Sequence, residues 1–440
     1  MVQNILKNSI VTCLSIAFLG CSGETSYALS DLNSSTAHED NTSSTSSEET
    51  SVIVRQGLFL DAAVEGLEYT HENGDRNITG KGGRFYYNNS EKVSFHIGGL
   101  ELGTASGAYI VTPREMVKGT SLLDSVVINN RVRLLLALDS DTQRFGIQIS
   151  ETARQSANAW TDAIDFTKSS IDFLPEIETM THGFISQLPD KNSSREHIKK
   201  TLECAYSGAY QGAWDVPESN QSSGYVGVMV RADGGVVVMG DGQTINGQTN
   251  SVMYVIGQGN VDKKEYTFDS NTFFYYDRNN SILKQELTAV DPITGTGKHV
   301  AYDYITGSFV KDGVKGSYRA SKSDATRNPA YRFTGFGNMF GSLTWTVGMI
   351  IMDFDPQGHI TGKIHDVRDT TAQPKLEGTI DYLTGEVSIE VQMPGNVTYV
   401  TGNLDLSDPL VSSTLSWHDQ NGSMVFGEVV VNGCQLQAID

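Results

Sequence analysis

Four cysteines in 440 residues are too few for a disulfide-dense scaffold, and ten prolines are too few for a collagen-like or proline-rich stalk. Cations are also scarce. The 32 lysines and arginines stand against 52 aspartates and glutamates, a formal charge of −20. That balance argues against nucleic acid as the main partner, because neutralising phosphates takes clustered Lys and Arg. After the first twenty residues no apolar run approaches the ~18–20 residues of a membrane helix. Catalytic and metal motifs are missing as well. There is no H-E-x-x-H, no cysteine pair at metal-ligand spacing and no G-x-S-x-G elbow. No cofactor or metal is therefore expected. Glycine, by contrast, is abundant at 44 residues, beside 18 tyrosines and 17 phenylalanines. Such a mixture suits many short strands joined by tight turns, and the length suits two or three domains.

The chain opens with Lys7 followed by an apolar stretch from Ile10 to Leu19, the layout of a secretory signal over residues 1–20. Phe18-Leu19-Gly20-Cys21 resembles the lipobox of bacterial lipoproteins, where small residues precede a cysteine that receives lipid. The resemblance implies lipid attachment, palmitate included, at Cys21. It also implies an outer-membrane protein anchored at the surface or periplasmic face, since Ser22 rather than aspartate follows the cysteine. Phe18 departs from the family's usual leucine, and an ordinary signal peptide cut after Ala28 is the competing reading. Residues 22–51 hold 15 Ser or Thr, six carboxylates and no Lys or Arg. Such a segment cannot bury enough apolar area to offset its ordering entropy, which predicts a disordered tether over residues 21–51.

From Val52 the pattern becomes strand-like. Gly82-Gly83-Arg84-Phe85-Tyr86-Tyr87 and Lys92-Val93-Ser94-Phe95-His96-Ile97 alternate around turns such as Asn73-Gly74. The order of strands is similar to a small prealbumin-type or carboxypeptidase-regulatory-like sandwich. It also resembles an N-terminal module of many Gram-negative surface and secreted proteins, through Ile97-Gly98-Gly99-Leu100-Glu101-Leu102-Gly103 and Val111-Thr112-Pro113. That likeness covers about residues 52–117 and implies surface location rather than chemistry. Residues 118–203 read as helical: a first apolar helix through Leu122–Leu138, a second capped by Ser150 and carrying Trp160, a third around Phe173–Leu188, and a last opening at Ser194. Asp139-Ser140-Asp141 suggests a calcium loop, but Arg144 and Phe145 are poor substitutes for ligands, and a capped interhelical loop is the better reading.

Residues 204–440 read as wholly β, with turn signals at Asp233-Gly234-Gly235, Asp312-Gly313, Thr384-Gly385 and Asn421-Gly422. A weak repeat sets Val226-Gly227-Val228-Met229 before Asp233-Gly234 and Val347-Gly348-Met349-Ile350 before Asp355-Pro356-Gln357-Gly358. Two antiparallel units are expected, about 205–322 and 332–437, each a small barrel or a sandwich. The glycine-rich meander behind a lipidated tether resembles transferrin-binding lipoproteins, locally only through Gly307-Ser308-Phe309 and Gly316-Ser317-Tyr318.

The expected fold is thus mainly β with a central helical segment. Cys204 and Cys434 are the thiols left once Cys13 is cleaved away and Cys21 is lipidated, so an oxidising compartment predicts their disulfide. Gly295-Thr296-Gly297-Lys298 fails as a phosphate loop, lacking the earlier glycine and the following Ser or Thr. His359 and His365 fall on one strand, too far apart to share a metal. Asp353 and Asp355 are the carboxylates closest to a glycosidase-like pair. The leading functional expectation is a non-enzymatic, lipid-anchored surface protein presenting β domains to an unidentified ligand or protein partner. A hydrolase acting on polysaccharide and an envelope structural protein are the alternatives.

Overall fold

The computed structural model describes residues 54–439 except 118–124, 161–162, 218–222, 244–251, 263–265, 278–281, 285–293, 312, 324–328, 342–344, 367–373, 394–395 and 421–424. Cys21, the tether and Asn421-Gly422 therefore lie outside the described residues.

The first module is a two-sheet sandwich. Its strands are β1 (Val54–Phe59), β2 (Val64–Glu65), β3 (Glu68–His71), β4 (Arg76–Ile78), β5 (Arg84–Asn88), β6 (Lys92–Ile97), β7 (Leu100–Ser106) and β8 (Ile110–Val111), of which β5 and β7 alternate buried and exposed residues. They form one sheet in the order β5-β1-β8 and another in the order β4-β3-β6-β7. The sheets meet through aromatic rings. Phe59 lies 4.6 Å and Phe85 5.2 Å from Phe95, with Tyr69 5.8 Å from Phe85. Each such pair adds roughly 0.5–1.5 kcal/mol beyond its buried area.

Four helices follow: α1 (Val126–Ala137), α2 (Glu151–Ala157), α3 (Ser170–Met180) and α4 (Lys191–Tyr206). Ser125, Ser150, Ser169 and Asp190 cap them by accepting from backbone amides of the first turn. The Ser150 cap is where the sequence places it. Trp160 instead lies beyond the end of α2, and α4 starts three residues before Ser194 because Asp190 is the stronger cap available. Between α1 and α2 a two-residue strand, β9 (Ile147–Gln148), pairs with β2 and stitches the helical segment into the sandwich. The loop read for calcium is a capped turn. Asp139 accepts from the amides of Asp141 and Gln148, and Asp141 from that of Gln143. Ile128 and Val132 of α1 pack with Ile198 and Leu202 of α4 against Leu58 and Leu60.

The remaining chain builds two eight-stranded barrels. The first uses β10 (Gly208–Asp215), β11 (Ser223–Val230), β12 (Gly235–Gln243), β13 (Val252–Asp262), β14 (Thr267–Asp277), β16 (Thr294–Ala301), β17 (Tyr304–Lys311) and β18 (Val314–Lys322); β15 (Ile282–Lys284) is a short addition beside β14. Pairing of β13 with β14 and of β10 with β18 closes it. The second barrel runs β19 (Tyr331–Gly341), β20 (Trp345–Phe354), β21 (His359–Asp366), β22 (Lys375–Ile380), β23 (Glu386–Met393), β24 (Asn396–Asn403), β25 (Ser413–His418) and β26 (Val425–Gln435), closed by β19 on β26. The repeat in the sequence falls on the second strand of each barrel, β11 and β20, and the turn after it. Gly234 and Gly358 adopt the left-handed backbone that those turns need (φ +94° and +88°).

Glycine has a second use here. In β17 and β18 the stretches Gly307-Ser308-Phe309 and Gly316-Ser317-Tyr318 run antiparallel, so Gly307 faces Tyr318 and Gly316 faces Phe309. Each ring lies over the opposing glycine, where any Cβ would collide with it. Gly297 under Phe268 and Gly433 against Phe333 repeat the arrangement. An eight-stranded barrel has an interior just wide enough to be filled by side chains or to hold one small ligand. Large rings fit because their cross-strand partners have none.

Among the described residues, both interiors are lined with large apolar side chains. Tyr210, Trp214, Val228, Phe268, Ile305 and Tyr318 occupy the first, and Phe333, Ile350, Phe354, Ile364, Val391 and Trp417 the second. The Trp417 indole donates to Thr398 Oγ1 at 2.8 Å, satisfying the one polar atom it buries. Between the barrels, Gln211 touches His365, the Ala232 amide donates to Asn432 Oδ1 at 3.3 Å, and Met349 packs over Gly227.

Gly316→Val is expected to destabilise the protein by about 2–3 kcal/mol, because the new side chain overlaps the Phe309 ring. Adding Phe309→Ala to that variant should recover part of the loss. Urea unfolding midpoints of the three proteins check both statements.

Candidate functional site

Polar side chains gather where the sandwich, α4 and the first barrel meet. Thr112, Arg114 and Glu115 follow β8, Tyr206 ends α4, Tyr266 precedes β14, and Tyr302 sits in the turn between β16 and β17. The Glu115 carboxylate accepts from the Tyr302 hydroxyl at 2.8 Å and from the Thr112 hydroxyl and amide at 2.7 Å each. Arg114 donates to the Tyr206 hydroxyl and lies over the Tyr266 ring, 5.4 Å from its centroid. Tyr206 and Tyr266 stack at 3.7 Å. Beneath them the Tyr210 hydroxyl sits between the carbonyls of Tyr206 and Tyr302, at 2.7 and 2.8 Å.

Burial sets the protonation of this group. It pushes the Tyr206 phenol up to about 12 and raises Tyr266 and Tyr302 further. It raises the Glu115 carboxyl too, against the opposing pull of its Thr112 and Tyr302 hydrogen bonds. His299, 6% exposed, is driven down to about 4 by burial and holds its Nδ1 3.3 Å from the Tyr266 carbonyl. The phenols are protonated at neutral pH and serve as donors and stacking faces rather than bases. The cluster is a seal on one end of the barrel.

A second polar junction joins the sandwich to the second barrel. Arg332 grips Asp353 through two bonds, 2.7 and 3.0 Å, both groups being nearly buried, and Tyr109 of the sandwich bonds to the same guanidinium. The enclosed ammonium of Lys322 donates to the Ala205 carbonyl at 2.7 Å and lies 5.5 Å from the centre of the Tyr210 ring. Burial, reinforced by nearby Arg332, lowers Lys322 to about 7.

The residues singled out in the sequence have separate places. Cys204, at the end of α4, is bonded to Cys434 of β26, with Cα atoms 5.7 Å apart. Asp353 is held by Arg332, whereas Asp355 caps its turn by accepting from the amides of Gln357 and His359. The two carboxylates therefore do different structural work. His359 is exposed and pairs with Asp355 at 2.9 Å, while His365 is buried between the barrels. Gly295–Lys298 lies inside β16. Among the described residues no three His, Cys, Asp or Glu gather as a metal site would require. The tyrosine seal was not foreseeable from spacing, since its members come from four separated segments. Only the Val111-Thr112-Pro113 element and the tyrosines flanking the α4–β10 junction hint at it.

No protein-family model matches this chain, and no curated sequence does. Some solved structures align with about half of it. A transferrin-binding protein B variant from Haemophilus parasuis, described as a vaccine antigen, is 9% identical over 52% of this chain and 76% of its own, with a TM-score of 0.19. Kievitone hydratase from Nectria haematococca is 12% identical over 52% and 89%, also with a TM-score of 0.19. A protein of unknown function from Nostoc punctiforme is 9% identical over 53% and 97%, with a TM-score of 0.16. At such scores neither ligand nor activity transfers to this chain.

Two predictions follow from the seal and the bridge. Unfolded His299 takes up its proton near pH 6.5, but folded His299 does so only near 4. Its contribution to stability is full above 6.5 and is lost as pH falls towards 4, by up to about 3 kcal/mol. His299→Gln should flatten unfolding free energy against pH in that window. Replacing Cys204 and Cys434 together by serine should cost roughly 5 kcal/mol in the loop-entropy treatment of a 230-residue span. Calorimetry of the double variant, with thiol titration of the unreduced parent, tests this.

Proposed function

We propose that this is a non-enzymatic, lipid-anchored cell-surface protein whose two barrels meet a macromolecular partner through their outer walls. The described interiors carry the reading. There Trp, Tyr and Phe take up space that a small molecule would need, which favours recognition on the outside surface. The seal, the Arg332–Asp353 pair and the disulfide support it, because they tie the barrels and the sandwich together as a presented surface. The leader and its lipobox-like Phe18-Leu19-Gly20-Cys21 supply the anchor, and the Ser/Thr-rich tether the distance from the membrane. No described helix is long and apolar enough to cross a bilayer.

Cys21→Ser is expected to move the protein from the outer-membrane fraction to the soluble fraction, and parent cells should lose the barrels to added protease. A variant as membrane-bound as its parent refutes the anchor. Barrels that resist protease on intact cells refute the surface location.

A further inference from the structure

Strands β16, β17 and β18 contain no aspartate or glutamate in their 25 residues, yet five lysines and arginines, in a chain of charge −20. Alternation sends Lys298, Lys315 and Arg319 to the outer wall of the first barrel, where all three are exposed. None of them pairs with a carboxylate among the described residues. Register sets Lys298 beside Thr306 and Thr306 beside Arg319, one row across the three strands. The two cations of that row are two strand spacings apart, roughly 10 Å, with Lys315 about 13 Å further along β18.

Hydroxyls fill the space between. Thr296, Ser308 and Ser317 form the next row, with Thr296 and Ser308 bonded at 3.0 Å and Ser317 donating to Asp215 at 2.9 Å. Asp269 and Asp215 bound the wall on its two flanking strands. The inward glycines opposite Tyr318 and Phe309 keep those rings inside, so the middle rows of the outer wall carry short hydroxyls and long cations. Screening decides what such a wall feels. At physiological salt the Debye length is about 8 Å, so an arriving anion senses these three cations more than the acidic remainder of the protein.

We propose that the outer wall of β16–β18 binds an acidic polysaccharide, its carboxylates on Lys298, Arg319 and Lys315 and its hydroxyls on the threonine and serine rows. A polysaccharide suits this wall better than a lipid surface. Lys298 and Arg319 stand in the middle of a sheet and are interleaved with hydroxyls, while the exposed apolar residues are two valines on different strands, Val310 beside Lys315 and Val300 on β16, too few to form an inserting face. The proposal deepens the outer-wall reading above and rests on it.

The test uses the purified full-length protein with immobilised polygalacturonate, neutral dextran and anionic phospholipid vesicles. Binding to polygalacturonate and not to dextran is expected, weakening at least about tenfold between about 50 and 300 mM salt. The double variant K298S/R319S should lose roughly tenfold in affinity, while K191S/K200S, which removes the same charge from the exposed face of α4, should bind as the parent does. Absence of binding, equal binding by K298S/R319S, or retention by vesicles alone would overturn the proposal. Fractionation of Cys21→Ser reports on the anchor separately, so failure of the wall and failure of the surface reading can be told apart.

Discussion

The volume inside an eight-stranded barrel governs this protein. That interior must be filled to native density, but it is too narrow for aromatic side chains from every strand. Pairing a ring with a glycine directly across the ladder solves the problem locally, as Gly307 with Tyr318 and Gly316 with Phe309 do. The high glycine content is therefore a packing requirement as much as a turn requirement. Once the interior is committed to packing, what the barrels can do for recognition lies on their walls and ends.

One end of the first barrel is closed by the module that precedes it. Closing it buries an arginine, a glutamate and several phenols, each of which would be costly without a partner. The network of Thr112, Arg114, Glu115, Tyr206 and Tyr302 supplies those partners from three segments at once. Because the partners belong to separate modules, satisfying them also fixes how the modules sit. The same logic holds between the sandwich and the second barrel, where the Arg332–Asp353 pair lies beside Tyr109.

The sequence carried the fold class through local signals: period-two alternation, Asp-Gly and Thr-Gly turns, serine caps, and a repeat that marks the second strand of each barrel. It did not carry the choice between barrel and sandwich, which depends on closure of β10 on β18 and β19 on β26, pairings about 110 residues apart in sequence. Nor did it carry β9, two residues long and below any periodicity. The disulfide was legible because compartment and cysteine count left one pair. The tyrosine seal was not, because phenols at positions 206, 266 and 302 have no shared spacing until the fold assembles them. The cationic wall was visible only as composition. Placing Lys298, Arg319 and Lys315 on one face required the strand register.

The Cys204–Cys434 bond also determines how the molecule carries mechanical load. Cys204 lies in the last turn of the helix that leads into the first barrel, and Cys434 lies in the last strand of the second. A pull between the sandwich and the second barrel therefore runs from α4 across the sulfur bridge into β26. The first barrel hangs beside that line as a side branch, and its hydrogen-bonded ladders are not stretched. Tension on the second barrel reaches the N-terminal module through covalent bonds, leaving the wall of the first barrel in its resting shape.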